Sequence, residues 1–271
     1  MKLNNSCDGI YDSIDIRFTK DCDNNCKFCI EHKGLDSLGK TNVSALIQAT
    51  IQSGIREVLV LGGEPFLYPK ELLKYVVGIR DSVDKIYITT ALPKTFVTQS
   101  KIIKSIISII DGLNISIQSV DYKENIAILN TNHKHDRVKI LEHLNIKYSN
   151  KIRTSINLVK GGIDTGNKLL YTLKYLENIG CKQVKINELQ DSPDYVSYED
   201  LMGYKLPSPY YNGCQTIIKQ KIYTMKIILK RSCFLVEESR KASFMDLIKV
   251  VYKRFFYRPT NKFKVLYENG I

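Results

Sequence analysis

Residues 21–30 read Asp-Cys-Asp-Asn-Asn-Cys-Lys-Phe-Cys-Ile, directly behind the apolar alternation Ile14, Ile16, Phe18. Cys22, Cys26 and Cys29 therefore place three thiols in one tight loop at the end of a predicted strand. Three thiolate ligands on a four-position metal site leave one position open, and an open position is where chemistry takes place. A zinc loop would bring a second cysteine pair downstream, yet the next cysteine is Cys181. Ligand count and softness thus favour iron and sulfide over zinc or incidental thiols.

A second stretch lies one strand–helix step further on. Val58-Leu59-Val60-Leu61 is a short β-rich apolar run that ends in Gly62-Gly63-Glu64-Pro65. Glycines at a strand end let backbone polar groups approach a ligand without Cβ interference. Glu64 offers an acceptor for an ammonium group, and Pro65 stiffens the turn.

The cysteine spacing, the aromatic Phe28 before the last cysteine and the 62–65 turn together resemble the radical SAM superfamily. The resemblance implies that Cys22, Cys26 and Cys29 hold three irons of a 4Fe–4S cluster. The fourth iron would bind S-adenosylmethionine, whose amino group would meet the turn at Gly62, Gly63, Glu64 and Pro65. It further implies reductive cleavage to a 5′-deoxyadenosyl radical that removes hydrogen from an organic substrate. An electron donor of flavodoxin or ferredoxin type belongs to the same picture.

Strand-like and helix-like runs alternate along the chain. Strands are predicted over 14–18, 58–61, 85–89, 113–117, 152–159 and 183–187. Helices are predicted over 42–53, 70–80, 95–110, 135–148 and 168–179. Such alternation means a parallel α/β sheet, because parallel neighbours need crossover connections. Six strands are too few for a closed eight-stranded barrel. The family resemblance implies the open, partial (βα)6 TIM-like barrel, as a core domain over 10–190. Residues 191–271 change character and read as a C-terminal α+β extension capping the barrel. Pro193, Pro207 and Pro209 punctuate its start, 215–229 is β-rich with a possible turn at 219–221, and 244–256 is a basic amphipathic helix. That helix fits packing on the barrel, with a membrane surface as the alternative.

In parallel α/β folds ligands gather at the C-terminal strand ends. Thr90 ends the third strand, Ser116 and Gln118 the fourth, and Glu188 the sixth. By the resemblance these contact the methionine carboxylate, the ribose or adenine. Gln118 stands where an acid is common, and the arginine that many relatives place after the fourth strand is missing from 129–135. Arg153 is the candidate in its stead, since lysine lacks the bidentate fork.

Composition bounds the rest. The chain has 271 residues, 44% hydrophobic, with no apolar run long enough for a transmembrane span and no secretory leader at its start. Seven cysteines with three clustered fit a reducing cytoplasm better than a disulfide framework. The charge of +12 invites a nucleic-acid partner, but the lysines are spread along the chain, and net charge speaks to non-specific association. An anionic substrate or reductase is equally compatible. Cys181, Cys214 and Cys233 raise the question of an auxiliary cluster, although none forms a C-x2-C pair, and Cys7 reads as unligated. A small metabolite, nucleotide or natural-product intermediate is the expected substrate, with a peptide, protein or tRNA as the alternative. A metal-binding protein without catalysis is a third.

Overall fold

A computed structural model describes residues 13–29, 42–189, 193–203, 215–218 and 223–230. Cys7, Cys214, Cys233, the 219–221 turn and the 244–256 helix lie outside the described residues.

The order is β1 (Ser13–Thr19), α1 (Val43–Ser53), β2 (Glu57–Gly62), α2 (Pro69–Ile79), β3 (Lys85–Thr90), α3 (Thr95–Thr98), α4 (Ser100–Ile109) and β4 (Gly112–Ser116). It continues with α5 (Tyr122–Leu129), α6 (Arg137–Tyr148), β5 (Ile152–Leu158), α7 (Gly166–Asn178), β6 (Gln183–Glu188), α8 (Tyr198–Met202), β7 (Gln215–Ile218) and β8 (Lys226–Lys230). One sheet holds all the strands in the order β1-β2-β3-β4-β5-β6-β8-β7. Every neighbouring pair is parallel except β7 with β8. The chain is α/β with the partial-barrel pattern expected, and its β-rich segment beyond residue 214 continues the same sheet at the edge of β6.

Strand alternation decides which face is buried. Ile16, Phe18, Val58, Val60, Ile86, Ile88, Ile115, Ile156, Val184 and Ile186 point at the helices and are buried. Leu46, Leu72, Val76, Ile103 and Ile106 meet them from the helix side. Each such side chain contributes about 1.5–3 kcal/mol on leaving water. The intervening strand residues face the other way and are only partly covered or exposed.

Local chemistry sets the helix starts. Asn42, Asp121, Asp136 and Thr165 each cap a helix by accepting a backbone N–H. The predicted helix over 95–110 is broken at Gln99, where φ is −126° and ψ 36°. Thr95 Oγ1 donates to Phe66 O at 2.7 Å and Phe96 stacks on Phe66 with centroids 4.8 Å apart, so α3 is tied to the β2 end. α4 then restarts to lay Ile103, Ile106 and Ile107 on the sheet. The helices α5 and α8 were not expected from the sequence. Among the described residues no helix is long and apolar enough to cross a membrane.

Candidate active site

The cysteine loop leaves β1 and is held from three sides. From β2, Gly63 N donates to Thr19 O at 2.6 Å and Glu64 N to Asp21 O at 2.7 Å. A Cβ on Gly63 would sit 2.1 Å from Asp21 O, and one on Gly62 2.4 Å from Thr19 O. Gly62 also has φ +125°, open to glycine alone. The two glycines thus let the second strand end lie directly against the cysteine loop.

From the α5 end, Asn25 N donates to Leu129 O at 3.0 Å, Asn130 Nδ2 to Asn25 O at 3.2 Å and Thr131 Oγ1 to Asp23 O at 2.9 Å. Asn130 takes a left-handed conformation, φ 47°, that aims its side chain at the loop. Cys26 Sγ reaches the Leu129 carbonyl at 3.6 Å.

From α6, the buried Arg137 sends Nη2 to Asn24 Oδ1 at 3.0 Å and Nε to Ala91 O at 2.9 Å. Its guanidinium lies 4.0 Å from Asp23. It ties the cysteine loop to the loop after β3.

Within the loop, Cys29 N closes a turn on Cys26 O at 3.0 Å, with Phe28 half-buried between them. Burial pushes the Cys22 thiol up to about 11. Burial, then the neighbouring Cys29 and Cys22, push Cys26 up to about 12. Cys29 thus acts electrostatically on both other thiols. Among the described residues no group of three side chains is gathered around a single metal ion. A cubane asks for something else, since each thiolate binds its own iron. A cationic Arg137 acting on Cys26 and Cys22 suits that anionic group.

Glu64 is fully buried and engaged. Oε1 accepts from Phe66 N at 3.1 Å and Thr90 Oγ1 at 2.9 Å, and Oε2 from Ala91 N at 2.7 Å. Burial outweighs these three donors and lifts its carboxyl to about 7. Pro65 starts a 3-10 turn, Pro65–Leu67, beneath it. The carboxylate thus joins the ends of β2 and β3 while the backbone of the turn faces the cysteine loop.

The remaining candidates scatter more widely. Ser116 accepts from Gln118 Nε2 at 2.8 Å, and Gln118 N donates to Asn125 Oδ1 at 3.0 Å. Glu188 accepts from Tyr198 N at 2.9 Å. Arg153 lies on β5 beside Asn114 of β4, apart from the residues that hold the cysteine loop. Arg137, two residues past 129–135, stands at the cysteine loop. Asp23 Oδ1 and Oδ2, Arg137 Nη1, His135 Nδ1 and Gln118 Oε1 are buried without a hydrogen-bond partner. Orphaned donors and acceptors on both sides of the loop fit a polar ligand carrying both charges. The donor set, the glycine cradle and these open polar atoms fit a cluster with S-adenosylmethionine.

Cys181 stands elsewhere. It is buried under α6, where Asn145 Nδ2 donates to its sulfur at 3.0 Å and Thr154 Oγ1 lies 3.3 Å away.

The family model of the radical SAM superfamily matches residues 16–176. Among solved structures, Streptococcus suis SuiB bound to its precursor peptide SuiA superposes with a TM-score of 0.61 at 16% identity, covering 84% of this chain and 51% of that one. SuiB bound to S-adenosylmethionine gives 0.53 at 18% identity, covering 70% and 42%. TYW1 with a lysine-pyruvate adduct bound gives 0.50 at 12% identity, covering 82% of each chain. The chain spans about half, or less, of the SuiB structures it matches. No curated protein sequence matches it. With the matched segment running from β1 into α7 and taking in both the cysteine loop and the glycine turn, the chain belongs to the radical SAM superfamily, whose members use a 4Fe–4S cluster and S-adenosylmethionine.

Proposed function

We infer that this chain is a radical SAM enzyme acting on an organic small molecule. The observation that carries the reading is the pair of bonds from Gly63 N to Thr19 O and from Glu64 N to Asp21 O, which seats the glycine turn against the three-thiol loop. Cys22, Cys26 and Cys29 would hold the cluster. Gly62, Gly63, Glu64 and Pro65 would frame the methionine end of S-adenosylmethionine. Thr90, Ser116, Gln118 and Glu188, with Phe28 beside the cluster, are the further contacts proposed from the family pattern, and we assign the methionine carboxylate to Arg137 in place of Arg153. Arg137 Nη1 and the Asp23 carboxylate, buried without hydrogen-bond partners beside the 4.0 Å pair of Arg137 Nη2 and Asp23, extend that set toward a carboxylate and an ammonium. Cluster and S-adenosylmethionine together supply one-electron chemistry that ends in removal of a hydrogen atom from the substrate.

The chain's own groups position and exclude. Arg137, the Leu129 carbonyl and the Asn130 and Thr131 side chains keep the loop closed, and Glu64 fixes the β2 and β3 ends on which the ligand would rest. We take the core as 10–190 and 191–271 as an extension, whose β7 and β8 lengthen the core's own sheet, in a reducing cytoplasm, served by a flavodoxin- or ferredoxin-like donor. A peptide substrate is the second reading, drawn from the precursor peptide bound to SuiB.

The test is anaerobic reconstitution of wild type and Cys26→Ala. Wild type is expected to hold about four irons per chain and to release 5′-deoxyadenosine under reductant. The variant is expected to do neither. Wild-type cleavage of S-adenosylmethionine by Cys26→Ala would sink the reading.

A further inference from the structure

The strand residues that turn away from the helices line the hollow of the partial barrel, and on the wall from β4 to β8 they are polar apart from Ile228. The register sets Asn114 of β4 beside Arg153 of β5, Ser155 of β5 beside Lys185 of β6, and Asn187 of β6 beside Lys230 of β8. Their neighbours along each strand, Ile115, Ile156, Val184, Ile186 and Leu229, are buried against the helices. A closed barrel fills such positions with branched apolar side chains. Here they carry three cations, two amides and a hydroxyl.

Charge on this wall is unbalanced. Asp15 on β1 is a carboxylate that feels this wall: burial raises its pKa while Lys230 and Lys185 pull it down. Arg153 has no such acid. Its Nε is buried without a hydrogen-bond partner, and burial works against its charge. A guanidinium held in that state without an anion is costly, and its fork matches an oxyanion.

We propose that the wall formed by β4, β5, β6 and β8 binds a small polar molecule through an oxyanion, phosphate or carboxylate, that Arg153 grips and Lys185 and Lys230 attract. Asn114 and the Ser155 hydroxyl hydrogen-bond the neutral polar remainder, with Ser155 held in place by Asn187 Nδ2 at 2.8 Å. The assignment of that molecule as substrate rests on the radical reading above, whereas its binding does not require the cluster to react.

The test is calorimetric titration of the reconstituted full chain, under anaerobic conditions, with inorganic phosphate and with acetate. Wild type is expected to bind one of them saturably, and which one separates a phosphorylated from a carboxylated source. Arg153→Gln is expected to bind roughly tenfold weaker, the scale of a lost charge-assisted pair. Arg153→Lys recovers part of the loss, and Lys230→Gln weakens binding by about threefold. Absence of saturable binding to wild type overturns the proposal, as does unchanged binding in Arg153→Gln and Lys230→Gln. If Arg153→Gln fails to fold, Lys185→Gln, on the strand beside Arg153, decides. A glutamate-rich peptide that binds and is not displaced by phosphate also overturns it. Iron content and 5′-deoxyadenosine release by the same wild-type preparation report on the radical reading alone. Anion binding without cleavage sinks only that reading, and cleavage without anion binding sinks only this proposal.

Discussion

Arg137 Nη2 meets Asn24 Oδ1 at 3.0 Å, joining side chains 113 positions apart in sequence. The same guanidinium holds the Ala91 carbonyl, so one buried cation couples the cysteine loop, the β3 end and the start of α6. Replacing it by alanine strands Asn24, Asp23 and Ala91 O. We expect Arg137→Ala to cost about 3–5 kcal/mol in urea unfolding. Arg137→Lys keeps the charge but cannot serve both acceptors, and should cost about 1–3 kcal/mol. Iron retained after gel filtration should fall in the same order.

Gly63→Ala would drive a methyl group into backbone, because Asp21 O lies 2.1 Å from the position it would take. No side-chain rotation relieves that contact. The loop and the β2 end must separate, at a cost of about 1–3 kcal/mol or more. Binding of S-adenosylmethionine, followed by equilibrium dialysis, should be lost even where the fold survives.

Glu64 makes stability depend on pH. Its buried carboxyl keeps a proton up to about 7, while an unperturbed one releases it near 4.5. Between those values the folded state binds the proton and the unfolded chain does not, so stability falls as pH rises through the window and levels off above it. The loss is on the order of 3 kcal/mol. Glu64→Gln removes the slope but turns an amide donor toward Ala91 N, at a constant cost of about 1–3 kcal/mol. Urea midpoints at pH 5 and pH 7.5 for both proteins check this.

Cys181 separates a packing role from a ligand role. Asn145 and Thr154 already serve its sulfur, far along the chain from the cysteine loop. Cys181→Ala should leave iron per chain unchanged and lower stability by about 1–2 kcal/mol. A drop in iron by atomic absorption would make Cys181 a ligand.

The strands were readable because Ile14–Ile16–Phe18, Val58–Val60 and their counterparts alternate or run apolar in short stretches bounded by turns. The cysteine loop and glycine turn were readable because each is local, a few residues long. α5 was not: only Asn125 and Leu129 of its eight residues are buried, so its apolar stripe is short. The break at Gln99 was hidden because it comes from Phe66 contacting Thr95 and Phe96 across the fold, not from a glycine or proline. Arg137 was missed for the same reason. Nothing in Asp136-Arg137-Val138 marks it except a helix start, and its role exists only once Asn24 and Ala91 are brought beside it.

The clasp from Leu129, Asn130 and Thr131 onto the cysteine loop spans more than a hundred residues. During synthesis the thiols leave the ribosome long before the segment that organises them. The loop therefore gains its clasp only once residues 129–131 are in place, and a truncated chain ending before residue 129 would present loose cysteines to iron instead of a shaped receptacle.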